Sequence, residues 1–262
     1  MKNSLKTTFN ERKIGVFAGM CNAYSIEILA TAGFDFILID GEHGPNTLTT
    51  VLAQLQVLAA YPVDVILRIP DHDPIKLKQY LDLGVQNFLI PMIENKTQAE
   101  QIVKATRYPP EGFRGVGTAL ARAAKWNATV NYLQEANDNI GIMLQIETLE
   151  GVHNLERILC VDGIDGIFIG PADLAASMGH LGDLNHPEVQ AVIAEILPKI
   201  KASGRAAGIF STNFNTSQVY EQLGASFLAV GADTLLLRLA AVNLANEYQQ
   251  NIKNLQIVEN KY

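Results

Sequence analysis

The chain has 262 residues, 48% of them hydrophobic and 18% charged, and a formal net charge of −7. That length and apolar fraction support a sizeable core and argue against disorder. The acidic balance, with no block of Lys or Arg, excludes the basic face of a nucleic-acid binder, and no apolar stretch approaches the roughly 20 residues that span a bilayer.

The N-terminus, Met1-Lys2-Asn3-Ser4-Leu5-Lys6, runs into polar residues without an apolar core of signal-peptide length. Cys21 and Cys160 lie far apart in no metal-ligand spacing and read as two reduced core thiols. The expectation is one cytoplasmic domain over residues 1–262, with no membrane and no nucleic-acid partner.

The elements alternate strand and helix. A strand predicted over 14–19 leads to a helix over 25–32 that Gly33 closes. The strand 34–40 ends in Asp40-Gly41-Glu42-His43-Gly44, and the next helix, 47–60, stops before Pro62. The strand 63–69 carries Arg68 at its end. Asp73 as N-cap and Pro74 at the first helical position open a helix over 75–83, with Gly84 after it. The strand 87–93 precedes a helix over 97–107 that ends at Pro109-Pro110. Residues 108–139 then break the rhythm, and a long insertion after a strand commonly carries function. Its Gly115-Val116-Gly117 lacks the Lys-Ser/Thr of a phosphate loop. The second half continues with strand 141–147, helix 149–159, strand 163–170, a helical turn over 174–178, helix 187–202, strand 206–210, helix 216–223, strand 227–231 and a final helix over 235–251. Eight short apolar strands separated by helices, in about 250 residues, predict a (β/α)₈ TIM barrel. No GxGxxG fingerprint follows the first strand, as a doubly wound dinucleotide-binding sheet would require.

In such a barrel the strand C-termini and the loops after them form the active face. His43, flanked by acids at a strand end, reads as a general base whose tautomer a carboxylate fixes, and Asp40 belongs to the same catalytic group. Arg68 inside an apolar strand reads equally as an anion or enolate stabiliser and as a structural salt bridge. Gln145 and Glu147, two apart, share one face of their strand. Gly170-Pro171-Ala172-Asp173 opens a helix whose N–H groups suit a carboxylate. Asp173 alone suggests an N-cap; with Glu147 on the neighbouring strand, a shared divalent metal with hard oxygen ligands is the better explanation. His72, His153, His180 and His186 form no HxxxH-type spacing and are expected on the surface or in helices. No lysine ends a candidate strand, which disfavours Schiff-base chemistry.

Taken together, Asp40-Gly41-Glu42-His43, Arg68, Arg114-Gly115-Val116-Gly117, Gln145-Ile146-Glu147 and Gly170-Pro171-Ala172-Asp173-Leu174 resemble the HpcH/HpaI family of metal-dependent pyruvate aldolases, from about Gly15 to the last helix. The resemblance implies that Glu147 and Asp173 ligate Mg²⁺, Mn²⁺ or Co²⁺. It assigns Gln145, Gly170, Ala172, Asp173 and Arg68 to substrate binding, His43 to the base, and Asp82 to raising the basicity of that histidine. By position alone Asp82 is a solvated helix residue. The implied reaction splits 4-hydroxy-2-oxoheptanedioate into pyruvate and succinate semialdehyde, in homoprotocatechuate catabolism. The alternative is a 2-keto-3-deoxy sugar acid or hydroxypyruvate aldolase, its acceptor end shaped by the Arg114–Trp126 loop, where Arg122 or Arg114 pairs with a distal carboxylate. A phosphoenolpyruvate-acting enzyme would need a basic cluster that is not seen. The resemblance also implies a homo-oligomer, a hexamer, with the C-terminal helix exchanged between subunits.

Overall fold

The computed structural model describes residues 3–259. Helix α1 (Ser4–Thr8) precedes β1 (Lys13–Ala18), and α2 (Ala23–Ala30), β2 (Phe36–Asp40), α3 (Leu48–Leu58), β3 (Asp64–Arg68), α4 (Pro74–Leu83), β4 (Asn87–Ile90) and α5 (Lys96–Thr106) follow. After an irregular segment containing α6 (Tyr132–Glu135) come β5 (Gly141–Ile146), α7 (Leu149–His153), α8 (Leu155–Leu159), β6 (Gly166–Ile169), α9 (Pro171–Ser177), α10 (Pro187–Ala202), β7 (Ala206–Phe210), α11 (Phe214–Leu223), β8 (Phe227–Ala232) and α12 (Asp233–Glu259). The eight strands, all parallel, close into a barrel in chain order, so the predicted (β/α)₈ architecture is the observed one.

Parallel strands buried on both faces alternate their side chains between two cores. In β2, Phe36 and Leu38 face the barrel interior with Phe17, Ile66, Leu89, Met143, Phe168 and Phe227. Ile37 and Ile39 face the shell between strands and helices. The interior is packed tightly enough that a Cβ on Gly15 would lie 2.4 Å from the Phe36 ring, which stacks on Phe227 at 4.1 Å between centroids. Helix α1 plugs the N-terminal end of the barrel with Leu5 and Phe9, both buried.

Local chemistry set several boundaries away from expectation. Asn22 accepts from the Tyr24 and Ser25 N–H groups, so α2 starts at Ala23. The helix expected over 149–159 is two helices, broken at Asn154, whose amide donates to the Glu94 and Glu150 carbonyls. Neither thiol is in the core: Cys160, the C-cap of α8, is exposed, and Cys21, in the turn between β1 and α2, is half-buried. Among the described residues no helix is long and apolar enough to cross a membrane.

The Phe36→Ala substitution removes the centre of the interior stack and is expected to cost about 3–5 kcal/mol. A thermal midpoint unchanged from wild type would contradict the interior packing described here.

Candidate active site

The inward register that is apolar inside the barrel turns polar at its C-terminal mouth. Two residues beyond Leu38 comes Asp40, and two beyond Ile66 comes Arg68; the two are register partners. Gln145 continues Met143, Gly170 continues Phe168, and all four line a cavity of about 690 Å³. The residues expected from strand ends are therefore together because of strand period and barrel closure alone.

Arg68 is held by Asp40 in a two-pronged pair, with Nε donating to Oδ1 at 2.9 Å and Nη2 to Oδ2 at 2.7 Å. Its Nη1 meets Glu42 Oε2 at 2.8 Å, and its guanidinium lies 4.8 Å from the Phe17 ring centroid. The salt-bridge reading of Arg68 is thus observed, with two of its five N–H donors bonded to Asp40 and the Nη1 group in an ion pair with Glu42. Asp40 Oδ1 also accepts from the Glu42 and His43 N–H groups, so this carboxylate shapes the turn that carries the histidine. A Cβ on Gly41 would lie 2.7 Å from the Arg68 carbonyl, which keeps that turn glycine-dependent. His43 is 65% exposed, and its Nε2 lies 3.8 Å from Glu42 Oε2. Burial raises the Glu42 carboxyl, offset in part by Arg68 and His43.

Glu147 is 1% exposed and does not form the cavity wall; it sits behind Gln145 and Gly170. Its Oε1 accepts from the Met92 N–H at 2.8 Å, a contact set by a left-handed Met92 (φ 56°), and its Oε2 accepts from the Gln145 amide. A Cβ on Gly170 would lie 2.4 Å from that Oε2. Burial pushes the Glu147 carboxyl up to about 7 despite these bonds, and the neighbouring Glu42 and Asp173 push the same way. Gln145 Oε1 is buried with no hydrogen-bond partner among the described residues. Asp173 is exposed in the first turn of α9, whose N-cap is Gly170, so the N-cap reading of Asp173 gives way. Three carboxylates and an orphaned amide oxygen form a set of hard oxygen donors that suits a divalent cation of the Mg²⁺ or Mn²⁺ type.

Asp82 is not brought to His43. It ends α4, next to the N-terminal side of the barrel, and accepts from Arg114 Nη2 at 2.9 Å. Arg114 is fully buried over the Tyr108 ring, whose hydroxyl burial pushes up to about 12. Arg122 donates to the Leu83 carbonyl at the end of the same helix. Neither arginine reaches the cavity of its own chain, because the 108–139 segment packs around the C-terminal end of α4.

The sequence reading missed the opposite wall of the cavity, formed by Ser211, Thr212, Asn213, Thr216 and Thr234. The signal was present, since Phe210-Ser211-Thr212-Asn213 is a polar run following an apolar strand, as at Asp40.

A closed (β/α)₈ barrel with clustered carboxylates and a paired arginine at its C-terminal mouth is the framework of a barrel enzyme. The HpcH/HpaI aldolase/citrate lyase family model matches residues 13–240, and the chain belongs to that family. It is 49% identical over 253 residues, 96% of each chain, to a 4-hydroxy-2-oxo-heptane-1,7-dioate aldolase of Klebsiella pneumoniae. It is 52% identical over 250 residues, 95% of each chain, to the enzyme of that name from Salmonella heidelberg. An HpcH/HpaI aldolase/citrate lyase family protein from Burkholderia cenocepacia superposes with a TM-score of 0.91 at 36% identity, covering 95% of this chain and 100% of that one.

The Asp40→Ala substitution leaves Arg68 buried without its two-pronged partner and is expected to destabilise the fold by about 3–5 kcal/mol. Equal thermal midpoints for the variant and wild type would show that the pair carries no structural weight.

Proposed function

We propose that this chain is a divalent-metal-dependent class II pyruvate aldolase that reversibly cleaves 4-hydroxy-2-oxoheptanedioate into pyruvate and succinate semialdehyde. The observation that carries the reading is the convergence of Glu147, Asp173 and Glu42 behind and around a cavity that also holds Arg68 and His43. Glu147 and Asp173 would hold the metal. When bound, Mg²⁺, Mn²⁺ or Co²⁺ supplies the Lewis acidity that stabilises developing enolate charge without a covalent lysine.

The chain's own residues account for the rest. The Ala172 and Asp173 N–H groups, in the first turn of α9, face no intrahelical acceptor and receive the substrate carboxylate. Gln145 orients the same end. His43 takes the proton from the C4 hydroxyl; the C4 oxygen forms the aldehyde carbonyl as the C3–C4 bond breaks, and that electron pair becomes the enolate. Arg68, preset by Asp40, stabilises the negative charge that develops. Protonation at C3 completes pyruvate. Within one chain, Glu42 is the acid beside His43, and Asp82 supports a histidine at that position only when a second copy presents it.

A second reading, a 2-keto-3-deoxy sugar acid aldolase, is favoured by one feature. Among the described residues Arg68 is the only Lys or Arg on the cavity wall, and the far wall is hydroxyl- and amide-rich, which suits a hydroxylated acceptor better than a second carboxylate. Comparing turnover of the dicarboxylic and polyol substrates separates the two.

We also propose a homo-oligomer, a hexamer, in which α12 is exchanged. From Leu235 to Tyr248 the helix exposes Leu235, Leu236, Leu237, Leu239, Val242 and Leu244, more apolar surface than a monomer leaves uncovered. Beside α11, Leu228 and Val230 line an open groove of about 270 Å³.

Pyruvate release is expected to fall to background in excess EDTA and to return with Mn²⁺; full activity after confirmed metal removal sinks the reading. Glu147→Gln and Asp173→Asn are each expected to weaken Mn²⁺ binding measured by calorimetry. Leu236→Glu together with Leu239→Glu is expected to convert the oligomer to smaller species in light scattering, and an unchanged mass would rule out exchange through this helix.

A further inference from the structure

We propose that His180, His186 and Glu188 form a second divalent-metal site, suited to Zn²⁺ and similar transition ions, that clasps the loop forming one wall of the active-site cavity. The proposal stands apart from the aldolase reading, since none of these residues takes part in that chemistry.

The two histidines are six positions apart, a spacing that no linear metal motif describes. The connection from α9 to α10 nonetheless folds back on itself, with Gly179 (φ 85°) and Gly182 (φ 83°) both left-handed, where a Cβ would be strained. The turn brings the two imidazole rings into a stack with centroids 3.5 Å apart and planes 14° apart. Glu188 joins them from the first turn of α10: its Oε2 lies 2.9 Å from His180 Nε2. One ligand atom from each residue falls within 4.8 Å of the others.

The donor set decides the metal. Two imidazoles and a carboxylate are the ligands that Zn²⁺, Co²⁺ or Ni²⁺ take, whereas Mg²⁺ and Mn²⁺ favour all-oxygen sites such as that around Glu147. A tetrahedral ion with bonds of about 2.0–2.1 Å sets its ligand atoms roughly 3.3 Å apart, close to the observed His180–Glu188 separation. His186 Nδ1 already presents a lone pair, spent only on a long 3.3 Å bond from the Glu188 N–H, and that bond gives way at little cost. The negative Glu188 offsets the positive end of the α10 dipole, which would otherwise oppose a cation there.

Closure of this site acts on the cavity. Leu184 and Asn185, between the two histidines, line the active-site cavity. Gln190 already fastens the Leu184 carbonyl and is in turn bonded by Tyr220, another wall residue. A metal ion bridging His180 to His186 and Glu188 pins the other side of the same loop and fixes the space left for the aldehyde.

The test uses the full-length protein stripped of metal, saturated with Mg²⁺ to occupy the oxygen site, and titrated with Co²⁺ by calorimetry and visible absorption. Co²⁺ that displaces Mg²⁺ from the oxygen site does so in wild type and variant alike; beyond it, one equivalent per chain with the spectrum of a tetrahedral nitrogen- and oxygen-ligated ion is expected in wild type. The variant carrying His180→Gln and His186→Asn, in which asparagine keeps the helix N-cap, is expected to lose that equivalent while its Mg²⁺-supported pyruvate release is unchanged. In wild type alone, Zn²⁺ is expected to alter KM for the aldehyde. Absence of Co²⁺ binding in the Mg²⁺-saturated wild type, or equal binding by the variant, overturns the proposal. Failure of aldol cleavage in both proteins would instead count against the aldolase reading and leave the binding count to judge this site.

Discussion

Closure of eight parallel strands is the constraint on which everything else in this molecule rests. A closed sheet has no edge, so each strand is buried on two faces and alternate residues share a single interior. That interior is filled with Phe and Leu except at the C-terminal rim, where the same alternation presents Asp40, Arg68, Gln145 and Gly170 to one cavity. Strand register therefore does what a binding loop does elsewhere. It sets Asp40 opposite Arg68 and Gln145 opposite Phe168 with the rigidity of backbone hydrogen bonding.

The electrostatics of that rim are unbalanced. Asp40, Glu42, Glu147 and Asp173 lie at or behind one mouth, and its one guanidinium, Arg68, is already engaged by the first two. Glu147 is left with an amide and a backbone N–H as its only support, and burial outweighs both. A mouth of this sign repels an anionic 2-oxo acid. Binding such a substrate requires positive charge beyond what the chain provides, which is the physical argument for a cation bound by Glu147 and Asp173. Arg68 adds one positive charge at this rim, and it is shared with Asp40 and Glu42.

What the sequence disclosed was what depends on strand period. The eight strands, and the presence of Asp40, Arg68 and Gln145 at one mouth, followed from apolar runs ending in polar residues. What it hid depends on how segments return through space. Asp82 looked like a helix residue beside a histidine's supporting role, but α4 runs from the mouth to the far end of the barrel and carries it away, into a pair with Arg114. Arg114 and Arg122, expected near the acceptor end, are held by the end of α4. The pairing of His180 with His186 depends on two left-handed glycines in a loop, which spacing rules for helices do not register. The hydroxyl-rich wall after β7 was legible by the rule that found Asp40, applied to a strand that carried no charge to draw the eye.

The C-terminal helix follows from the same geometry. A helix that packs on its own barrel must reverse direction after its strand, and the connection must be long enough to turn. Between β2 and α3 seven residues intervene (41–47). Between β6 and α9 there is only Gly170, and α9 is short; the helix that packs beside β6 and β7 is α10, reached after a further loop. Between β8 and α12 there is no intervening residue at all, since Ala232 ends the strand and Asp233 begins the helix. Asp233 is anchored at once by the Gly19 and Met20 N–H groups at the end of β1, which fixes the direction in which the helix departs. With 27 residues it extends about 40 Å. Its exposed apolar residues and the groove lined by Leu228 and Val230 are complementary in character, which is the physical support for the proposed exchange of this helix.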